Sequence, residues 1–400
     1  MRTAFRLVFW LVVAATAALG AFAWTTRPVT PSAFYTPPAQ LPAAPGQLLR
    51  AEPFEHDVPA GAQAWRLLYT TSRTDGAPTV ASALVVVSTQ PSPTPRPVWA
   101  WTHGTTGFAT GCAPSLLKAP FANVPALPEM LAAGWAFVAT DYAGLGTPGA
   151  QPYLIGEGQA RSALDAVRAA QQLPDLSLSR KTVVWGHSQG GHAALWTGAL
   201  APSYAPDVEL LGVAALAPAS DLPALMAAVQ HATIGRVMTA YLLRAYSATY
   251  PDVDFDAYTA AWSRPWVRSF SNRCLDGLGA LVPVAQAALL RGSIFVQDPN
   301  TGTLGARLLE NVPTRSLVAP LLLAQGLSDD LVLASAQDRH VQSRCGDDQS
   351  LSYWRLEGHD HLSLVAPSSP LGPALVEWSA ARLAGEPLPP GCQKREVPAR

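Results

Sequence analysis

The segment Gly186–Gly190 carries the pattern G-x-S-x-G, which places one serine between two glycines. It follows an apolar run at Thr182–Trp185 and precedes a helix-forming stretch. That strand–turn–helix context lifts a serine hydroxyl clear of a sheet, and the glycines suit a turn with no room for a β-carbon on either side. An ordinary glycine-rich turn is the alternative, but the context predicts Ser188 as a nucleophile for acyl transfer.

A serine hydroxyl is a weak nucleophile at neutral pH, so it needs an imidazole to accept its proton and a carboxylate to orient that ring. The acid is expected after the serine and the histidine last, each following a strand. His359 and His361 both follow the apolar run Leu351–Leu356, and their spacing alone does not separate them. Three histidines in predicted helices or in the predicted insertion are expected to be structural or surface residues: His192, His231 and His340.

The candidate acids follow another apolar run, Pro320–Ala324, which leads into a loop with two adjacent carboxylates. We favour Asp329 as the orienting acid, with Asp330 as the second candidate. The remaining alternative is that both are solvated loop residues or cap the helix that follows.

Acyl transfer also needs two hydrogen-bond donors for the oxyanion, usually the N–H after the nucleophile and one from a loop after an early strand. The first is the N–H of Gln189. The second is expected in the loop His103–Gly107, which directly follows the run Val98–Trp101, with Thr105 as the favoured donor. His103 itself is expected to be structural.

The composition limits the partners of the chain. It has 400 residues, 49% of them apolar, enough for one large domain with an insertion. Only 14% are charged and the formal net charge is -1, so nucleic acid or an anionic membrane surface is not expected as a partner. A small or uncharged substrate fits better. Neither C-x-x-C nor H-E-x-x-H occurs, so no metal or cofactor is expected.

The N-terminus predicts export. Two arginines in Met1–Arg6 precede an apolar run from Leu7 to Trp24, in which Ala21 and Ala23 are placed as in a small-x-small cleavage site. This is the composition of a cleavable signal. The run is also long enough for an uncleaved membrane anchor. For a secreted or periplasmic chain, an even number of cysteines favours two disulfides. The cysteines are Cys112, Cys274, Cys345 and Cys392.

Two β-rich runs, Ala64–Ser72 and Val80–Ser88, flank Asp75-Gly76 and predict an antiparallel hairpin. Apolar runs then alternate with helical stretches, which predicts an α/β fold with a mostly parallel, doubly wound sheet. The runs are Val98–Trp101, Ala136–Thr140, Thr182–Trp185, Leu211–Leu216, Pro320–Ala324 and Leu351–Leu356. The helical stretches are Gly158–Gln172, Gly190–Leu200, Leu333–Val341 and Pro373–Leu383.

The expected organisation is a signal or anchor at 1–24, a proline-rich arm at 25–60, a core at 61–220 and 313–385, and an irregular tail at 386–400. The stretch 221–312 is longer than an ordinary crossover and mostly helical, which predicts an inserted cap. Its aromatic residues either form the cap's own core or line an acyl pocket. They are Tyr241, Tyr246, Tyr250, Phe255, Tyr258, Trp262, Trp266 and Phe270.

The chain resembles the secreted lipases and esterases of the α/β-hydrolase superfamily, particularly the secretory lipase family. The resemblance runs from about Val98 to Val376. It rests on the serine motif, His103-Gly104-Thr105 with Cys112–Ser115, the turn Thr140–Gly146, the helix Leu164–Ala169, and Gly326-x-x-Asp329. It implies the α/β-hydrolase fold, Asp329 as the acid, and His361 as the base through Gly358–His361. It also implies a cap that lines the acyl pocket and the disulfides Cys112–Cys274 and Cys345–Cys392.

The expected function is a secreted serine ester hydrolase, a lipase or an esterase, and the cap is a candidate for contact with a lipid interface. Acyl chain length, leaving alcohol and oligomeric state stay open. A peptidase on the same fold would need an acidic pair in the cap, for which Asp252, Asp254 and Asp256 are candidates. An acyltransferase and a non-catalytic binding protein also stay open as hypotheses.

Overall fold

A computed structural model describes residues 2–346 and 349–398 of the chain. Met1 of the predicted export signal and Ala399 and Arg400 of the predicted tail lie outside the described residues.

Within the described residues, the strands form one ten-stranded sheet. In chain order they are β1 (Leu48–Phe54), β2 (Ala62–Ser72), β3 (Pro78–Ser88), β4 (Arg96–Thr102), β5 (Ala136–Thr140), β6 (Leu178–His187), β7 (Glu209–Leu216), β8 (Leu321–Gly326), β9 (Leu351–Leu356) and β10 (Cys392–Val397). Their order in the sheet is β1-β2-β3-β5-β4-β6-β7-β8-β9-β10.

The sheet is antiparallel at one end and parallel in the rest. The pairs β1–β2, β2–β3 and β3–β5 are antiparallel, and every pair from β5–β4 to β9–β10 is parallel. Strands β5 and β8 are buried at every position, as expected of strands covered on both faces. The predicted α/β-hydrolase fold class is therefore confirmed. The loops after β4, β6, β8 and β9 meet at the carboxyl edge of the sheet.

Apart from α1, the helices of the described residues flank the sheet or build the insertion. They are α1 (Arg2–Thr25), α2 (Leu127–Ala132), α3 (Gly156–Ala170), α4 (Gln189–Tyr204), α5 (Leu222–Val229), α6 (Thr233–Thr249), α7 (Phe255–Tyr258), α8 (Arg264–Ser271), α9 (Leu281–Leu289), α10 (Gly302–Glu310), α11 (Ala334–Gly346) and α12 (Leu371–Leu383). Apolar residues of α3 and α4 share one core with one face of the sheet, and those of α2 and α12 share a second core with the other face.

The insertion between β7 and β8 contains α5 to α10. It has its own apolar core, in which Tyr241, Tyr246 and Phe270 are fully buried. Tyr153 and Leu154, from the loop before α3, belong to the same core and join the insertion to the sheet domain.

Two expectations about the ends of the domain were wrong. The arm predicted at 25–60 contains β1, which pairs with β2, and a buried turn with Phe34 and Tyr35. The tail predicted to be irregular at 386–400 contains β10, which pairs in parallel with β9. Strand β10 is mostly exposed and charged, as is common for an edge strand, so it lacks the apolar pattern by which a strand is recognised.

The predicted disulfide pairing is confirmed. Cys112 pairs with Cys274 and links the loop after β4 to the insertion. Cys345 pairs with Cys392 and ties the end of α11 to the start of β10. The second bond explains how an exposed, charged strand is held at the edge of the sheet.

Candidate active site

Ser188 occupies a sharp turn between β6 and α4. Its φ of 58° and ψ of −118° are strained for a residue with a side chain. The flanking glycines leave no room for anything larger. A β-carbon on Gly186 would lie 2.0 Å from the carbonyl oxygen of Gly190, and one on Gly190 would lie 1.9 Å from the carbonyl oxygen of Thr102. The sequence therefore adopts a turn that presents the serine at the carboxyl edge of the sheet.

An acid and a histidine meet beside this turn. The loop after β8 carries Asp329 and the loop after β9 carries His361, whose Nδ1 donates to Asp329 Oδ2 at 2.7 Å. The other carboxylate oxygen, Oδ1, accepts the backbone N–H groups of Leu331 and Val332, each at 2.8 Å. These contacts fix both the carboxylate and the imidazole ring in orientation.

Asp329 stays ionised although its side chain is fully buried. Burial alone would raise the pKa of this carboxyl, but the hydrogen bond and charge of His361 and the two backbone amides outweigh it, so the pKa lies below its ordinary value. An ionised Asp329 accepts from Nδ1 and so leaves Nε2 of His361 as the unprotonated nitrogen. Ser188 and His361 line the same cleft.

The alternative residues lie elsewhere. Asp330 is exposed, and the Nδ1 of His359 lies 3.2 Å from the carbonyl oxygen of Ser363. The backbone of His359 serves the loop instead, because its carbonyl oxygen accepts the N–H of Ser328 at 2.9 Å. A β-carbon on Gly326 would lie 2.4 Å from that oxygen, so this glycine lets the acid loop and the histidine loop approach each other.

The residue before the serine supports the histidine loop. His187 is buried, and its Nε2 donates to the carbonyl oxygen of His361 at 2.9 Å. Burial, with the neighbouring His361 ring, lowers the pKa of His187 to about 3. His187 is therefore neutral at physiological pH and available only as a hydrogen-bonding residue.

The remaining histidines are placed as structural or surface residues. Burial lowers the pKa of His103 to about 4, that of His192 to about 4 and that of His340 to about 3. The Nε2 of His192 lies 2.7 Å from the carbonyl oxygen of Asn311 at the end of the insertion. His231 is exposed on the insertion.

The two expected oxyanion donors border the same space. Gln189 is the first residue of α4, so its N–H has no acceptor one turn earlier within the helix. Thr105 lies in the loop after β4, and its side-chain oxygen is 2.9 Å from the hydroxyl of Tyr153. Both residues line the cavity next to Ser188.

Two cavities meet at the serine. An open cleft of about 390 Å³ extends between the loops after β4 and β9, and a narrow, mostly apolar slot of about 20 Å³ runs beneath the insertion. Ser188, Thr105 and Met238 border both. The slot is lined on the insertion side by α5 and α6, through Leu225, Met226, Val229, Met238 and Leu242.

Of the two alternatives for the cap aromatics, the structure agrees with a core of the cap's own, since none of the eight is among the residues that line these cavities. Tyr241, Tyr246 and Phe270 are buried in the insertion's own core, while Trp262 is 51% exposed. Beside the predicted site residues, the cavities are bordered by Met238, Tyr153 and Asp276, which sequence reasoning missed. A methionine at helical spacing resembles any core residue, so the sequence contained no distinguishing feature for Met238.

A strained serine between strand and helix, an aspartate–histidine pair and a parallel sheet define the class of α/β-hydrolases. A profile of the secretory lipase family matches residues 122–391. The chain belongs to this family.

Two of the relatives that the chain matches are named as lipases. A probable inactive lipase of Mycobacterium tuberculosis is 26% identical over 394 residues, which cover 90% of this chain and 84% of that protein. A secreted triacylglycerol lipase of Malassezia globosa is 26% identical, covering 83% of this chain and 76% of the relative. The family and the Malassezia lipase support hydrolysis of the lipase and esterase kind as the activity of the chain.

Solved structures share the fold. Candida antarctica lipase A in its closed state superposes with a TM-score of 0.76 at 19% identity, covering 92% of this chain and 89% of that one. A rice cell wall degrading esterase from Xanthomonas oryzae superposes with a TM-score of 0.63 at 17% identity, covering 85% and 97%.

Proposed function

We propose that the chain is an exported serine hydrolase that cleaves carboxylic esters through an acyl-enzyme on Ser188. The observation that carries this proposal is the contact between His361 and a buried, ionised Asp329, on the cleft that Ser188 also lines. Because one relative is named a probable inactive lipase, family membership alone does not establish activity. The proposal therefore rests on this chain's own residues.

Acylation begins when the Ser188 hydroxyl attacks the ester carbonyl carbon and His361 Nε2 accepts its proton. The imidazolium that forms is stabilised by Asp329 at Nδ1. The carbonyl oxygen becomes an oxyanion, which the backbone N–H groups of Gln189 and Thr105 stabilise. As the intermediate collapses, His361 gives its proton to the leaving alcohol, and an acyl-enzyme remains.

Deacylation repeats these steps with water. His361 takes a proton from the water that attacks the acyl carbon, the oxyanion forms in the same place, and Ser188 leaves with the proton. Neither acylation nor deacylation, as proposed, needs a metal ion or a cofactor, because His361 and the backbone donors supply both the proton transfer and the charge stabilisation.

The acyl chain is assigned to the slot beneath the insertion, whose lining is mostly apolar. Each methylene moved from water into such a slot contributes about 0.8 kcal/mol, which is up to about fourfold in kcat/KM. At about 20 Å³ the slot is narrow, so the side chains of α5 and α6 must move aside to admit a chain. Met238 stands at the entrance, where the slot meets the cleft.

Export is proposed from the N-terminal helix and the disulfides. Phe5–Thr25 is the helix of the described residues that is long and apolar enough to cross a membrane, and both disulfides fit an oxidising compartment. A cleaved signal and an uncleaved anchor both agree with these features. Detergent-free fractionation of the full chain separates them, because only an anchored form sediments with membranes.

The peptidase alternative loses its candidate acidic pair. Asp252 pairs with Arg307 and Asp256 with Arg264, while Asp254 accepts the N–H of Asp256 at the start of α7. None of the three borders the cavities at Ser188. Aminoacyl anilides should therefore be poor substrates beside p-nitrophenyl esters.

The test of the proposed function is Ser188→Ala assayed on p-nitrophenyl butyrate. The substitution should lower kcat/KM by at least about 1,000-fold without changing the thermal midpoint, since only binding and oxyanion stabilisation remain. Retention of more than a tenth of the activity would contradict the assignment of the nucleophile.

The acyl slot is tested by a chain-length series from acetate to octanoate, measured below the solubility limit. We expect kcat/KM to rise beyond acetate, and Met238→Ala should move the optimum towards longer chains by widening the entrance. A preference for acetate that Met238→Ala leaves unchanged would mean that the slot does not hold the acyl chain.

A further inference from the structure

Asp276 places a carboxyl group on the wall of the catalytic cleft, and no step of the proposed mechanism uses it. It follows α8 in the insertion, is half-buried, and lines the cleft that contains Ser188 and His361. Leaving the histidine rings aside, the described residues that line this cleft include no other charged side chain.

The chain segment that carries Asp276 is linked to the loop after β4, His103–Gly107, which contains the expected oxyanion donor. Cys274 forms the disulfide with Cys112 and a β-bridge with Gly107. Leu275 donates its N–H to the carbonyl oxygen of Thr106 at 2.7 Å. Since Thr106 follows the expected oxyanion donor directly, these contacts anchor the backbone next to Asp276 to the loop that borders Ser188.

The carboxyl group of Asp276 forms no ion pair with any residue that the structure describes. Burial raises the pKa of Asp276, opposed only by a hydrogen bond from the backbone of Gly277. A half-buried, unpaired carboxylate is costly, and a cation bound in the cleft would offset that cost.

The two cavities are expected to hold different parts of the substrate. If the apolar slot takes the acyl chain, the open cleft on the other side of Ser188 takes the leaving alcohol. Asp276 borders the cleft and not the slot. Its charge therefore acts on the alcohol half of the ester.

We propose that Asp276 is the binding residue for a positively charged leaving alcohol, so that the enzyme favours esters of quaternary or protonated amino alcohols over neutral esters of the same shape. This inference rests on the proposed ester hydrolysis. The carboxylate attracts the cation by simple Coulomb interaction, which is strengthened where water is partly excluded. The same charge disfavours anionic leaving groups, such as a phosphorylated alcohol.

The test compares two esters that differ only in charge: butyrylcholine and its carbon analogue 3,3-dimethylbutyl butyrate. In the full-length wild-type chain, we expect kcat/KM for the cation to exceed that for the neutral ester by about five- to tenfold at low salt. Raising the ionic strength to about 0.5 M should reduce this ratio, because salt screens a partly exposed charge. Asp276→Asn should bring the ratio to about one.

The matched control is Asp175→Asn, which removes the same charge from an exposed position before β6, at the opposite edge of the sheet. It should leave the ratio of the two esters at its wild-type value. If Asp276→Asn does not fold, Asp276→Ser and the salt dependence of the wild-type ratio give the same answer.

The outcomes separate this inference from the proposed function. A wild-type ratio of one or below, or a high ratio that persists in Asp276→Asn, overturns the role of Asp276 while ester hydrolysis stands. Absence of hydrolysis of both esters and of p-nitrophenyl butyrate refutes the proposed function, and the inference with it.

Discussion

Replacing Asp329 by asparagine changes one oxygen into an NH₂ group without changing the size of the side chain. Two backbone N–H groups, from Leu331 and Val332, fix Oδ1 at 2.8 Å each, so the amide oxygen will keep that position. The NH₂ group then takes the place of Oδ2, where it faces Nδ1 of His361 and Nε2 of Gln325. Both of those groups are donors in the wild-type protein.

The consequence is a change of tautomer in His361. To avoid two donors facing each other, Nδ1 gives up its proton and accepts from the NH₂ group of the substituted side chain, and the proton moves to Nε2. A protonated Nε2 cannot take the proton of Ser188. In a catalytic triad this kind of substitution lowers kcat about 10,000-fold, which corresponds to about 5.4 kcal/mol at about 1.36 kcal/mol per factor of ten.

The assay is kcat and kcat/KM on p-nitrophenyl butyrate for Asp329→Asn, with Asp330→Asn as the control. Asp330 is adjacent and exposed, so its substitution removes the same charge and should change kcat by less than about twofold. Equal, mild effects of the two substitutions, or a larger effect for Asp330→Asn, would refute the assignment of the orienting carboxylate.

His361→Ala should lower kcat/KM as much as removal of the nucleophile does, because triad members act as a unit, whereas His359→Ala should stay within about fivefold of wild type. Steady-state kinetics of the two variants gives the ranking, and the reverse order would move the base to His359. Gly190→Ala should lower the free energy of unfolding by about 3 kcal/mol or abolish soluble expression, because the added β-carbon would lie 1.9 Å from a backbone oxygen. Urea unfolding measures this loss, with Gly279→Ala as the control because its β-carbon would meet no atom closer than 3.5 Å. Burial raises the pKa of Asp165 to about 6 in the folded protein. Protonation of this carboxyl therefore stabilises the folded state fully below the unfolded pKa of about 3.9, and that stabilisation is lost as pH rises through about 6. Between about pH 4 and 8 the thermal midpoint of the wild type should fall relative to that of Asp165→Asn, and parallel curves would contradict the raised pKa.

Most of the sheet could be predicted because its strands are buried. Continuous apolar runs such as Ala136–Thr140 reflect burial on both faces, and the hairpin of β2 and β3 has the turn residues Asp75 and Gly76 between its strands, with Gly76 at a φ of 82°. Strands β1 and β10 lie at the two edges. An edge strand needs no apolar alternation, so its sequence resembles a loop.

The candidate site was predictable where geometry constrains the residue type, as at Gly186 and Gly190. The choice between His359 and His361 was not, because both follow β9 and only the path of the loop decides which ring meets Asp329. The role of Asp276 depends on a contact between the insertion and the loop after β4, which are distant in sequence. Local periodicity contains no information about such a pairing.

Ser188 is proposed to carry the acyl group during turnover. This role can be measured by labelling the full chain with a fluorophosphonate, followed by intact mass measurement and peptide mapping, because such a reagent reacts with an activated serine hydroxyl. We predict one adduct per chain, located on Ser188, with loss of esterase activity in proportion to labelling and no adduct in Ser188→Ala. An unlabelled wild-type protein, or an inactivating adduct on a different residue, would contradict it.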